Sequence, residues 1–128
     1  MRLLLDTHIL LRALIEPTKL NRETHAVLED PQHEVLFSAA SIWEMAIKAA
    51  LGRADFGVSP EAIVEAAKAS GFVELAVRSA AAARVATLPH HHRDPFDRLL
   101  VAQAMTEPAA LYTADAQLEA YSELVVRV

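Results

Sequence analysis

Five short, mostly apolar runs, "RLLL", "EVLFSA", "FVELAV", "ALYTA" and "LVVRV", are separated by longer segments whose apolar residues recur at helical spacing. Runs that short bury themselves as strands, and an intervening helix supplies the crossover that parallel pairing requires. The pattern predicts an α/β fold, a three-layer α/β/α sandwich around a mostly parallel central sheet. At 128 residues the chain can bury one substantial core but not two, so residues 1–128 are expected to form a single domain. No repeat, low-complexity tract or Pro/Gly-rich linker interrupts it.

The helix boundaries are written in cap chemistry. Asn21 precedes "RETHAVLED", Ser59-Pro60 precedes "EAIVEAAKA" and Asp94-Pro95 precedes "FDRLLVAQAM". Each offers a side-chain acceptor to the open amides of a first turn, and two place proline where its missing N–H costs nothing. Gly71 is a left-handed stop for the helix begun at Ser59. In "SIWEMAIKAAL" the inward face is expected at Ile42, Met45, Ala46 and Ala49, and in "FDRLLVAQAM" at Phe96, Leu99, Leu100 and Gln103. Trp43, a large aromatic on the first of these helices, is assigned to core packing.

Composition removes several classes of function. The chain has no cysteine, so a disulfide framework and a thiolate metal site are both excluded. The N-terminus "MRLLLDTHIL" meets an acid after three leucines, too early for a signal peptide, and no apolar run approaches membrane-spanning length. A cytoplasmic protein is the expectation. The formal charge of −5 argues against a broadly basic nucleic-acid binder, unless several acids are gathered in one metal pocket.

Four acids stand where such a sheet would present its strand ends. Asp6 follows the first strand, Asp115 follows "LYTA", Asp97 lies in the first turn of the helix after Asp94, and Glu44 opens the helix after "VLFSAAS". Ligands of open α/β sheets bind beyond the carboxyl ends of the strands, so these acids can converge although they are far apart in sequence. An oxygen-only set suits a hard cation such as Mg²⁺. Each acid also has an ordinary reading: Asp6 and Asp115 as helix caps, Glu44 as a favourable charge near a helix N-terminus, Asp97 as part of a capping box. Their joint occurrence at strand-to-helix junctions favours the site.

These residues carry a resemblance. "LLLDTHILLRAL", "FSAASIWEMAIKAALGR", "LPHHHRDPFDRLLVAQA" and "LYTADAQL" are similar, in order and spacing, to the PIN-domain family, and within it to the VapC-type toxins of bacterial toxin–antitoxin pairs. The resemblance covers essentially the whole chain. It implies a PIN-like sandwich, an endoribonuclease dependent on Mg²⁺ or Mn²⁺, an RNA substrate, a cognate antitoxin protein and pairing into a homodimer. Carried over by motif, the catalytic and metal-binding acids are Asp6, Glu44, Asp97 and Asp115, with Asp94 as the helix cap. Arg12 departs from the pattern where relatives often carry tryptophan, and Ala114 where a polar or basic residue is common.

The chemistry so implied is hydrolysis of a phosphodiester by a metal-activated water, with Asp6 and Asp97 as principal ligands. Arg93, Arg98, Lys48 and Thr113 are the candidate substrate contacts. Lys48 can instead pair with Glu44 one turn away, and Thr7 and Thr113 can serve a carboxylate or a turn. His90, His91 and His92 are consecutive, so their side chains diverge, and they read as the loop before a helix and as bystanders to the site. Two rival functions are a catalytically inactive binding module on the same fold, and a phospho-aspartate phosphatase or receiver-like domain. Against the latter, Asp6 is followed by Thr7 and His8 with no second aspartate two residues on, and the only lysines are Lys19, Lys48 and Lys68.

Overall fold

The computed structural model describes residues 1–52 and 57–128; Arg53, the end of one resemblance stretch, lies outside the described residues. Its elements in chain order are β1 (Arg2–Leu5), α1 (Thr7–Ile15), α2 (Arg22–Glu29), β2 (Glu34–Ser38), α3 (Ala39–Ala50), α4 (Pro60–Ala69), β3 (Val73–Leu75), α5 (Ser79–Arg84), α6 (Pro95–Thr106), β4 (Ala110–Thr113) and β5 (Val125–Arg127). Short 3₁₀ turns occupy Pro17–Lys19, Val85–Thr87 and Ala116–Tyr121. All five apolar runs became strands, and they form one sheet in the order β3-β2-β1-β4-β5 with every pair parallel.

Alternation along these strands divides the core in two. Leu3, Leu5, Val35, Phe37, Ala110 and Tyr112 face one side, where they pack with Ile9, Leu10, Met45, Ile63 and Ala67. Leu4, Leu36, Leu75 and Leu111 face the other, against Leu100, Val101, Ala104 and Leu118. Successive strand side chains point to opposite faces, so each short apolar run feeds both layers. The caps follow the sequence: Asn21 accepts from Thr24 N at 2.8 Å, Ser59 from Ala62 N at 3.2 Å, and Asp94 from Phe96 N at 2.8 Å. Gly71 ends α4 at φ 84°, the left-handed conformation that glycine adopts without penalty.

The inward faces of α3 and α6 differ from their apolar spacing. Trp43 is 62% exposed, and Ala46 and Ala49 are exposed as well, while Ser41, Glu44 and Met45 turn inward. Glu44 does not open its helix. The strand β2 stops at Ser38, whose hydroxyl caps α3 at Ala40 N, and Glu44 therefore lies in the second turn. Gln103 is buried as a polar link, accepting from Ser38 Oγ at 2.6 Å and donating to the Ala76 carbonyl at 3.3 Å. Helical spacing marks the buried face, but polar residues hold part of it because that face meets the strand ends.

The strand order fixes where a site can form. From central β1 the chain builds outward through β2 and β3, then returns to the other side of β1 for β4 and β5. The crossovers therefore diverge between β1 and β4, which leaves a crevice at the carboxyl ends of those two strands. Asp6 follows β1, Thr113 ends β4, and Asp115 lies two residues beyond it.

Candidate metal centre

Asp6 combines both of its sequence readings. One carboxylate oxygen accepts from Ile9 N at 2.8 Å and caps α1, while the other accepts from Thr113 Oγ1 at 2.5 Å. Burial pushes its pKa up, and the bonds from Thr113 and Ile9 oppose that only in part. Thr113 Oγ1 also accepts from Asp115 N at 3.0 Å, so one hydroxyl joins the acids on the two sides of the crevice.

Asp97 is the least compensated acid. It sits at the third position of α6 with its side chain 20% exposed. Burial, followed by the charges of Asp94 and Asp6, pushes its pKa up to about 7. Its nearest basic partner is His92, whose Nε2 lies 3.6 Å from Oδ2. An acid so perturbed inside a crevice is a candidate ligand for a cation.

Glu44 comes from the neighbouring side. Its Oε1 accepts from Thr7 Oγ1 at 2.7 Å and its Oε2 from Lys48 Nζ at 2.9 Å, and it is buried. Thr7 has a single hydroxyl hydrogen, which goes to the carboxylate; Ser41 Oγ, 3.0 Å away, then donates to Thr7. Asp115 caps the last 3₁₀ turn by accepting from Gln117 N at 2.9 Å, and accepts from His92 Nε2 at 2.7 Å. Its modest desolvation is outweighed by those two bonds, which hold its pKa below the usual carboxylate value.

Asp6, Asp97 and Asp115 thus line one cavity of about 260 Å³, together with His8, Arg12 and Ala114. Glu44 lines the adjoining cavity of about 360 Å³ and is close enough that its charge helps raise the Asp97 pKa. All four acids are at the crevice. The donor set is carboxylate oxygen in a partly dry pocket, which fits a hard divalent cation.

The auxiliary assignments fare unevenly. Arg98 cannot meet a phosphate from where it lies: it is 8% exposed, and its guanidinium donates to the carbonyls of Val85, Leu88 and Pro89 and to Tyr121 Oη. Lys48 is committed to Glu44, the helical pair foreseen as its alternative. Thr113 is fully buried and its hydroxyl serves Asp6, so it positions a carboxylate instead of touching substrate. Arg93 remains exposed at the rim of the cavity that Glu44 lines. Arg12, noted in the sequence only as a departure, lines the acid cavity.

His92 is the residue that sequence reasoning missed. His90 and His91 are exposed, and the His91 ring meets Tyr121 edge-on at 5.0 Å. His92 turns inward, and one atom each of His92, Asp97 and Asp115 lie within 4.8 Å of one another. Three consecutive histidines must diverge, so one of them could reach the site, but nothing local says which.

The fold agrees with comparisons to known proteins. The family model of the PIN domain matches residues 3–124, and the chain belongs to that family. The VapBC2 structure from Rickettsia felis, solved bound to a DNA fragment from its promoter, superimposes with a TM-score of 0.70 at 13% identity, over 100% of this chain and 98% of that one. FitAcB from Neisseria gonorrhoeae gives 0.57 at 20% identity, over 91% and 89% respectively. None of the curated proteins matches the sequence. Among the described residues no helix is long and apolar enough to cross a membrane.

Proposed function

We propose that this protein is a metal-dependent endoribonuclease, the toxin of a toxin–antitoxin pair, working with Mg²⁺ or Mn²⁺ in the cytoplasm as one PIN domain spanning residues 1–128. The observation that carries this reading is the uncompensated Asp97, held beside Asp6 at the switch point of the sheet. When bound, the divalent ion supplies an activated water and neutralises charge developing on the phosphate. Asp6 and Asp97 are its principal ligands, and Glu44 and Asp115 bind it directly or through water. Thr7 and Lys48 hold the Glu44 carboxylate and Thr113 that of Asp6. Arg12, in the acid cavity, and Arg93, at the cavity that Glu44 lines, would meet the RNA backbone. The four acids account for most of the −5 formal charge, so an occupied centre leaves a nearly neutral protein whose arginines act locally. The likeness of fold to a VapBC2 complex supports an antitoxin partner, and a second copy of the chain completes the proposed assembly.

The deciding experiment is incubation of total cellular RNA with the purified protein plus Mg²⁺ or Mn²⁺, with EDTA, and with Asp97→Asn purified in parallel. Discrete fragments lost with both EDTA and the variant are expected. Cleavage shared by the variant would point to a contaminating nuclease, and none at all to an inactive binding module. Metal should also raise the melting temperature, by an amount equivalent to about 2.7 kcal/mol at a hundredfold excess over Kd. Because Asp97 must give up its proton to bind, metal affinity should rise with pH up to about 7 and level off above it. A pH-independent affinity would remove Asp97 from the ligand set.

The exposed Trp43 adds a substrate contact. Its ring stands edge-on to Phe96 at a centroid distance of 5.3 Å, beside the cavity lined by Phe96, Lys48 and Arg93. Single-stranded bases stack on such rings, at about 1–3 kcal/mol per base. Trp43→Ala should raise KM for RNA about tenfold with little change in kcat or stability; a fall in melting temperature with KM unchanged would return Trp43 to a structural role.

A further inference from the structure

We propose that His92 is not a ligand of the ion but the positioning residue of the metal centre, locked with its ring proton on Nε2 so that it holds Asp115 toward an oxygen-only site. This rests on the metal-centre reading above and adds a role for a residue outside the acid set. By distance alone His92, Asp97 and Asp115 form a plausible ligand trio. Counting lone pairs excludes the imidazole from it.

His92 Nδ1 accepts the backbone amide of Asp94 at 2.9 Å. The direction of that amide hydrogen is set by the chain, and it cannot rotate away as a hydroxyl can. An imidazole nitrogen that accepts a hydrogen bond carries no proton, so the ring proton lies on Nε2. Nε2 then donates to Asp115 Oδ2 at 2.7 Å and has no lone pair left for a cation. Ligation through Nε2 would require an imidazolate, or loss of the Asp94 amide bond at the start of α6. That start is a closed arrangement: Asp94 caps Phe96 N and Asp97 N while its own amide is spent on His92.

The ring is anchored from behind as well. The backbone amides of His91 and His92 donate to Tyr121 Oη at 3.1 and 2.9 Å, and Arg98 donates to the same oxygen at 3.2 Å. Arg98 also grips the carbonyl of Pro89, so the loop bearing His92 is fastened to α6 and to the turn after Asp115. Asp115 lies past β4, on a short turn with its side chain 36% exposed, and among the described residues its carboxylate is otherwise bonded only to Gln117 N. The His92 bond directs one oxygen and leaves its remaining lone pairs open. Partners of this kind set the geometry of a ligand, and losing them typically weakens metal affinity by about 10- to 100-fold.

Three readouts on the intact protein test this. Nitrogen-detected NMR of the histidine rings should show the Nε2-protonated tautomer of His92, with and without Mg²⁺. Pulsed EPR of bound Mn²⁺ should show no directly coordinated nitrogen. In calorimetric titrations His92→Ala should weaken Mg²⁺ and Mn²⁺ by the same factor, about tenfold or more, and His92→Gln, which keeps an N–H donor, should recover much of the loss. A proton on Nδ1, a nitrogen coupling to Mn²⁺, a selective loss of Mn²⁺ affinity in His92→Ala, or no loss at all would each overturn the proposal. Should His92→Ala fail to fold, the tautomer and the EPR spectrum of the unaltered protein still decide. None of these uses RNA, so the nuclease reading can fail without touching them; a protein that binds neither ion would end both.

Discussion

Asp97→Asn is expected to abolish metal-dependent RNA cleavage and, in the same protein without metal, to raise stability at pH 8. Losing a principal ligand should cost at least a hundredfold in rate, on the order of 3 kcal/mol. The stability gain follows from proton linkage. The folded pKa of Asp97 is about 7 against an ordinary value of 3.8. The native state therefore holds this proton more tightly than the unfolded chain does. Stability supplied by the protonated group is fully present below about pH 4 and is lost as pH climbs toward 7. With the side chain only 20% exposed, the loss is on the order of 3 kcal/mol in metal-free protein. Asparagine carries no charge at any pH and should lack this decline, so the variant and the parent should diverge between pH 5 and 8 in urea unfolding. A variant less stable than its parent at pH 8 would make Asp97 a structural capping residue.

Arg98→Met carries the second large effect, with stability as the quantity that moves. The guanidinium donates to Pro89 O at 2.9 Å, Val85 O at 3.2 Å, Leu88 O at 3.3 Å and Tyr121 Oη at 3.2 Å. Among the described residues it has no carboxylate partner within 4.0 Å, so three carbonyls and one phenol oxygen solvate this buried charge. Methionine would fill the volume but take the side-chain donor from the carbonyls of Leu88 and Pro89, while Val85 O keeps the Leu88 amide and Tyr121 Oη keeps the amides of His91 and His92. Hydrogen bonds to a charged group are worth about 1.5–3 kcal/mol each, and a few are shared here, so a loss of about 2–4 kcal/mol is expected in denaturant unfolding. Arg98→Lys should recover less than half, since a single ammonium cannot span a fork of four acceptors. The same variant should loosen the loop that carries His92. If Arg98→Met instead keeps its stability within about 0.5 kcal/mol and binds RNA with a shallower salt dependence, the side chain meets phosphate in solution and its assignment as a substrate contact stands.

Much of this molecule was legible in one dimension. The five apolar runs specified the strands: burial on both faces leaves β1, β2 and β4 little room for alternation with charge, while the edge strands β3 and β5 are shorter and partly exposed. Asn21, Ser59 and Asp94 announced their helices because capping is a contact between residues two or three positions apart. Asp6, Asp97 and Asp115 stood out for a related reason: an acid directly past a strand or in a first helical turn is positioned by its neighbours in sequence. What failed were statements about direction across elements. Trp43 has a helical position compatible with burial, but its helix is rotated to bring Ser41 and Glu44 to the strand ends, which turns the indole out to solvent. Arg98 sits one residue from a site acid, and only the packing of the turn over residues 85–89 shows that its charge is consumed by carbonyls. His92 could be distinguished from its two neighbours only by Asp115, 23 residues later, and by the amide of Asp94 against its ring. Local chemistry, strand burial and helix capping, was determined by the sequence itself. The partner each long polar side chain finds was decided by the tertiary structure, because a flexible side chain has several acceptors within reach and only the packed chain leaves one of them in place.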